Sequence, residues 1–180
     1  MKDWQCAVAD RLRKKNKILF SYRDPFLFDL TQNIAAQPHK CIILWAFSFS
    51  EELVCLLKSK YPHEVRPREL LTKARQWAAG EIKMSEAKRA ILACHTMAKE
   101  VNSLEDTALC HALGQACSTV HTAGHAMGLP VYELSALVRR YGLEGCAEAV
   151  EMRKSEYFSR LRRYSLYIEH EKLSWAPFIK

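Results

Sequence analysis

The chain has 180 residues, 49% hydrophobic and 26% charged, and its 27 Lys and Arg against 20 Asp and Glu give a formal net charge of +7. A chain of this length buries enough apolar surface to fold without disulfides or a structural metal, so small crosslinked scaffolds and disordered chains are excluded. Its 6 glycines and 6 prolines are too few for a collagen-like or low-complexity protein. We therefore expect one folded domain over residues 1–180.

Frequent helix-start signals and the near absence of alternating apolar residues predict helices joined by short turns. Pro25, Pro38 and Pro67 stand where a proline at the first helical position costs no hydrogen bond. The segment 41–49, CIILWAFSF, is short and apolar and suits a strand as well as a helix. The predicted fold class is all-α, a compact multi-helix bundle. Its helices cover about residues 3–16, 26–36, 38–48, 51–60, 68–79, 84–101, 104–127, 130–141 and 144–169.

The helix predicted over 104–127 is expected to lie at the centre of this bundle. Residues 107–132 carry no formal charge, which suits a helix that other helices surround. Ser103 and Asp106 resemble a capping box at its start, and Gly128 is expected to end it. Its polar side chains are too numerous for a span that faces lipid. We therefore expect a buried central helix with a polar seam, and no membrane crossing.

The amino-terminal and cysteine patterns indicate a cytoplasmic protein. Charged residues interrupt the segment 1–17, MKDWQCAVADRLRKKNK, so it lacks the apolar run of a signal peptide. The 7 cysteines are odd in number and form no CxxC pair, which argues against a disulfide framework. We expect them to be small buried residues instead.

A polar cluster on the predicted central helix is the candidate functional site. Cys117, His121 and His125 are spaced by four and would share one helical face, with Gln115 beside them and His95 on the preceding helix. Two imidazoles at this spacing can bind one metal ion, but the position after the first histidine lacks the glutamate base of a metalloprotease. The alternatives are a structural seam of interhelical hydrogen bonds and a pocket for a ligand or partner. We favour the seam, and expect no metal or cofactor.

Motifs for catalysis are missing from the sequence. The chain has no Gly-rich phosphate loop, no nucleophile elbow and no Rossmann fingerprint. Cys94 and His95 are adjacent in a predicted helix, where neighbouring side chains point about 100° apart and cannot form a thiolate–imidazole pair. We therefore expect a binding protein without catalytic residues.

Both ends of the chain are basic, with one cluster at residues 11–17 and five basic residues against one acidic residue at 153–163. Such patches attract nucleic acid, anionic membranes or acidic proteins, and a solvated helix face is the structural alternative. No nucleic-acid reading motif accompanies them, so nucleic acid is an unfavoured partner and an acidic or mixed protein surface is favoured. The candidate partner-binding residues are Arg160, Arg162 and Arg163, with Tyr157 and Tyr164 as aromatic anchors.

The segments ARQWAAGEIKMSEAKRAILACHTMAKE and GQACSTVHTAGHAMGLPVYEL resemble the immunity-5-like family of predicted bacterial immunity proteins, over about residues 65–165. The resemblance is carried by Trp77, Gly80-Glu81, His95, Gly114-Gln115, His121, His125 and Gly128. Thr96 and Gln115 stand where alanine and histidine are more familiar in that pattern. The resemblance implies a small all-helical cytosolic protein that binds and neutralises a cognate toxin. It implies little about residues 1–60, which we expect to be helical. A metal- or small-ligand-binding helical protein that uses the His121/His125 face is the alternative function.

Overall fold

The computed structural model describes residues 2–180, and within that range it contains eight α-helices and no strand. The prediction of an all-α bundle is therefore confirmed. None of the helices within 2–180 has the length and apolar content needed to cross a membrane. The helices are α1 (Asp3–Arg13), α2 (Pro25–Ala35), α3 (His39–Lys60), α4 (Arg66–Ala78), α5 (Met84–Glu100), α6 (Leu104–Ser118), α7 (Gly128–Gly145) and α8 (Ala147–Tyr167), with a short 3-10 helix at Ala123–His125.

Helix α3 replaces the two helices that were predicted at 38–48 and 51–60. Ser50 lies inside α3, and its hydroxyl donates to the Ala46 carbonyl at 2.9 Å without interrupting the helix. The strand alternative for residues 41–49 was wrong, because this segment is a helix whose Trp45 and Phe49 side chains are fully buried. Burial on both sides explains why the segment is apolar without a helical stripe.

Helix α6 is the central helix, and it packs against α3, α5 and α7. Ser103 caps its start by accepting a hydrogen bond from the Asp106 amide at 3.3 Å. The expected end at residue 127 was wrong, because α6 stops at Ser118. At this point the hydroxyls of Ser118 and Thr119 donate to the carbonyls of Gly114 and Ala116. The Thr119 amide donates to the Ala116 carbonyl three residues back at 3.3 Å, so the last turn tightens as the helix ends.

Two glycines separate the elements that follow. Gly128, which was expected to end the central helix, is the first residue of α7. Gly142 lies inside the span of α7 with φ +71° and ψ 165°, so the regular helix breaks where the sequence predicted an end. Helix α8 then buries Val150, Tyr157 and Leu161 against the bundle.

The carboxyl-terminal segment returns to the end of α4. The Ala176 amide donates to the Ala78 carbonyl at 2.8 Å, and the Phe178 ring lies 5.9 Å from the Trp77 ring. Gly80 follows α4 with φ +80°, and a Cβ there would lie 3.3 Å from the Ala176 Cα. The Gly80 turn therefore combines a left-handed backbone with a close approach of the tail.

Candidate functional site

A pair of imidazoles joins α5 to α6. The Nδ1 atoms of His95 and His111 lie 2.9 Å apart, so one ring donates a proton and the other accepts it. Burial lowers the pKa of both rings, and the nearby Lys99 ammonium lowers both further. Both imidazoles are therefore neutral near pH 7, and the accepting ring carries its proton on Nε2.

Gly114 makes room for the His95 ring. A Cβ at Gly114 would lie 2.6 Å from Cε1 and 3.0 Å from Nε2 of His95. Carbon atoms in contact are ordinarily about 3.5–4.0 Å apart. Glycine at 114, the first residue of the Gly-Gln dipeptide, is therefore required by the close packing of the His95 ring.

The second residue of that dipeptide, Gln115, joins α6 to the segment before α7. Its Oε1 lies 3.0 Å from Nδ1 of His125, which donates to it when that nitrogen carries the proton. A Cβ at Gly128 would lie 2.6 Å from Cγ and 2.7 Å from Cβ of Gln115. Glycine at 128 therefore allows the start of α7 to pass directly over the Gln115 side chain.

The expected common face of Cys117, His121 and His125 is wrong, because α6 ends at Ser118 and the two histidines lie beyond it. Cys117 is fully buried, and burial raises its thiol pKa to about 12. His121 is exposed at the surface and its ring stacks on Trp77 with a centroid distance of 6.2 Å and an interplanar angle of 18°. Cys117 therefore lies in the core, whereas His121 and His125 lie nearer the surface.

The polar side chains of the recognised motif form three separate contacts: the His95–His111 pair, the Gln115–His125 pair and the Trp77–His121 stack. Across residues 2–180 no group of three or more His, Cys, Asp or Glu side chains is placed to hold one metal ion. The contacts join α5 to α6, α6 to the 3-10 helix and α4 to the segment after α6. Each one holds two elements together.

The candidate partner-binding residues on α8 divide into buried and exposed groups. Tyr157 is fully buried, and its hydroxyl donates to Oε2 of Glu133 at 2.6 Å. Burial raises the pKa of the Glu133 carboxyl, against the opposing effects of Arg153 and the Tyr157 hydrogen bond. Tyr157 is therefore a core residue, and its expected role as a surface anchor does not fit its position.

Arg160 is also engaged within the fold. Its guanidinium donates to Glu52 and Glu156 and to the Ser48 carbonyl, and it lies 4.2 Å from the centre of the Phe49 ring. These ion pairs reduce the positive charge that the α8 sequence suggests.

Arg162 and Arg163 are exposed, and the Arg163 guanidinium lies 5.5 Å from the centre of the half-buried Tyr164 ring. Tyr164 also lines a cavity of about 330 Å³ between α3, the end of α4 and the tail. Leu44, Phe47, Leu173 and Trp175 supply apolar side chains to this cavity. The exposed part of the predicted surface therefore combines two cations with an apolar cavity.

The amino-terminal cluster is also partly neutralised. Arg11 donates to both carboxylate oxygens of Asp24 at 2.6 and 2.5 Å, and Arg13 pairs with Asp10. Lys14, Lys15 and Lys17 follow them in the chain, and all three are exposed. The free positive charge of this end lies in the lysines that follow α1.

The all-helical architecture places the chain among α-helical bundle proteins, and the comparison with protein families is more specific. Residues 32–160 match the family model described as Imm-5 like putative immunity protein. The chain belongs to this family. The matched region begins at residue 32, so it includes α3, about which the sequence resemblance said little. Comparisons with curated proteins and with solved structures give no match.

Sequence reasoning missed the part that His111 plays in the histidine pair. His111 and Gln115 are four residues apart on α6, so their side chains lie on one face. That spacing could have indicated a polar face on α6, because His111 and Gln115 both lie before the helix ends at Ser118. The partner on α5 could not be read from spacing because it depends on how the two helices pack.

Proposed function

We propose that this protein is an immunity protein that binds a cognate bacterial toxin in the cytoplasm and neutralises it. The observation that carries the proposal is the family match over residues 32–160. The motif histidines join elements of the bundle to one another, so we assign toxin binding to a surface elsewhere on the molecule. Neutralisation then depends on a surface that fits the toxin, with no chemical step of its own.

The surface that we assign to toxin binding consists of Arg162, Arg163, Tyr164 and the adjoining cavity, and we call it the α8 surface. Its two exposed cations favour a partner with acidic side chains. The cavity of about 330 Å³ suits an apolar anchor of the partner, because binding energy concentrates at buried anchors more than at rim charges. The toxin surface is therefore expected to carry carboxylates around an apolar side chain.

The direct test is co-expression of the protein with the product of the adjacent gene, followed by growth measurement and co-purification. A stable complex and restored growth are expected. Failure of the two proteins to associate, together with unrelieved toxicity, would refute the proposal for that toxin.

The location of the surface is tested by reversing charges at R162E/R163E and by the substitution Tyr164→Ala. Reversal is expected to slow association by about 10-fold at low salt, because opposite charges steer the encounter. Removal of the Tyr164 ring is expected to speed dissociation by about 10-fold or more.

The matched control is K88E/R89E, which makes the same change in net charge at two adjacent exposed positions of α5. This control is expected to change association far less than R162E/R163E. Equal effects of the two variants would show that only the net charge matters, and would remove the α8 surface from the proposal while leaving toxin binding itself intact.

A further inference from the structure

A second cavity, of about 450 Å³, opens between the chain after α1, the end of α5, the first half of α6 and α7. Lys17, Lys99, His111 and Tyr132 are the ionisable side chains that line it, and no carboxylate is among its lining residues. We call it the Lys17–Lys99 cavity. Its remaining lining is mostly apolar.

The two lysines of this cavity are unpaired within residues 2–180. Neither lysine forms an ion pair there, although other cations of the fold do so repeatedly. The carboxylates that flank the cavity in sequence are already paired: Glu100 with Arg66, and Glu105 with Lys60 and Arg140. An anion that enters the cavity therefore meets two ammonium groups without displacing an existing partner.

Neutral hydrogen-bond donors are available beside these charges. His111 uses Nδ1 for His95, which leaves Nε2 without a partner among residues 2–180. When His95 donates in that pair, the proton of neutral His111 is on Nε2, where it can bond to a ligand. Asn102 and Tyr132 also line the cavity, and the Asn102 side-chain amide and the Tyr132 hydroxyl form no hydrogen bond within residues 2–180.

We propose that the Lys17–Lys99 cavity binds a small organic phosphate monoester. A phosphate group near neutral pH carries a charge of about −1.5 to −2 and three acceptor oxygens, which matches two ammonium groups and several neutral donors. A carboxylate would leave part of this positive charge uncompensated. The apolar side chains of Ile18, Val101 and Leu104 line the same space and suit the organic part of the ligand.

The pKa of His111 responds to both lysines of the cavity. Burial is the largest cause of its lowered pKa, and His95, Lys17 and Lys99 lower it further. A bound phosphate dianion offsets the positive charge by which the lysines lower this pKa. The His111 ring is therefore a local reporter of occupancy.

The test is a titration of the full-length protein with phenyl phosphate at constant ionic strength, followed by calorimetry and by the imidazole resonances of ¹³C-labelled histidine. Saturable binding with a shift of the His111 resonances is expected. Inorganic phosphate is expected to bind about 10-fold more weakly because it lacks the apolar part, and benzoate about 10-fold more weakly because it carries one charge.

The variant K17A/K99A is expected to weaken phenyl phosphate binding by about 100-fold, since each charge-assisted contact contributes about 10-fold. K14A/K15A is the matched control, because it removes two exposed lysines of the same segment that do not line the cavity. Circular dichroism checks that both variants remain folded. Equal weakening in the two variants, or no His111 shift at about 10 mM phenyl phosphate, would overturn the proposal. Benzoate or inorganic phosphate binding as tightly as phenyl phosphate would overturn the assigned ligand class.

Discussion

The substitution Gly128→Ala tests the reasoning about helix packing most directly. The added Cβ would lie 2.6 Å from both Cγ and Oε1 of Gln115 and 2.7 Å from its Cβ. A different rotamer of Gln115 can move Cγ and Oε1, but its Cβ is fixed by the α6 backbone. The clash therefore has to be relieved by moving α6 and α7 apart.

Overpacking of this kind costs about 1–3 kcal/mol, and alanine gains little helix propensity at the first residue of a helix. We expect a net loss of about 2 kcal/mol in the free energy of unfolding. For a chain of this size, 1 kcal/mol corresponds to about 2–4 °C, so the expected fall in Tm is about 4–8 °C. Urea and thermal denaturation followed by circular dichroism measure both quantities.

Two further variants test whether the loss of stability comes from the contact with Gln115. Gly145→Ala is the control, because the nearest atom to its added Cβ is the Tyr141 Cβ at 4.0 Å, and it should be neutral or slightly stabilising. Q115A removes two of the three close contacts, so Q115A/G128A should be more stable than the sum of the single changes by about 1 kcal/mol. A G128A variant as stable as the unsubstituted protein would refute the packing argument.

Two other outcomes follow from burial. The lowered pKa values of His95, His111 and His125 mean that the unfolded chain, with histidine pKa values of about 6.5, binds more protons. The free energy of unfolding should therefore be highest above about pH 7 and should fall as the pH decreases through about 6.5; identical urea midpoints at pH 7.5 and 5.5 would contradict this. Among the cysteines, Cys6 and Cys55 are exposed and the other five are buried. A thiol reagent should modify two cysteines rapidly, and rapid modification of more than two would show that the core is open.

Local signals predicted the helices that begin at a cap or a proline and end near a glycine. The helix predicted at 68–79 is α4, Arg66–Ala78, which has Pro67 in its first turn and Gly80 after its end, and the break expected at Gly142 is present. The end of α6 at Ser118 could not be predicted in this way, because no glycine or proline marks it. It depends on the packing of the segment that follows.

The candidate site residues are arranged differently from what their spacing in the sequence predicted. Gln115 and His125 do bond to each other, but across a turn and not along one helix. The spacing of four between His121 and His125 suggested a common face, and that inference fails once the helix has ended. The juxtaposition of Lys17 with Lys99 depends on how the chain after α1 packs against α5, which neither periodicity nor capping encodes.

Residues that pack the bundle lie inside the region matched by the family model, and the two cations assigned to toxin binding lie outside it. Gly114, Gly128 and Trp77 lie within residues 32–160, and each makes a contact that holds the bundle together. Arg162 and Arg163 lie beyond the matched region, and Lys17 precedes it. Specificity is a difference between the affinities for competing partners, so it can change at the surface without a change in the scaffold. Under the function proposed above, we therefore expect toxin choice to follow the α8 surface more than the histidine motif.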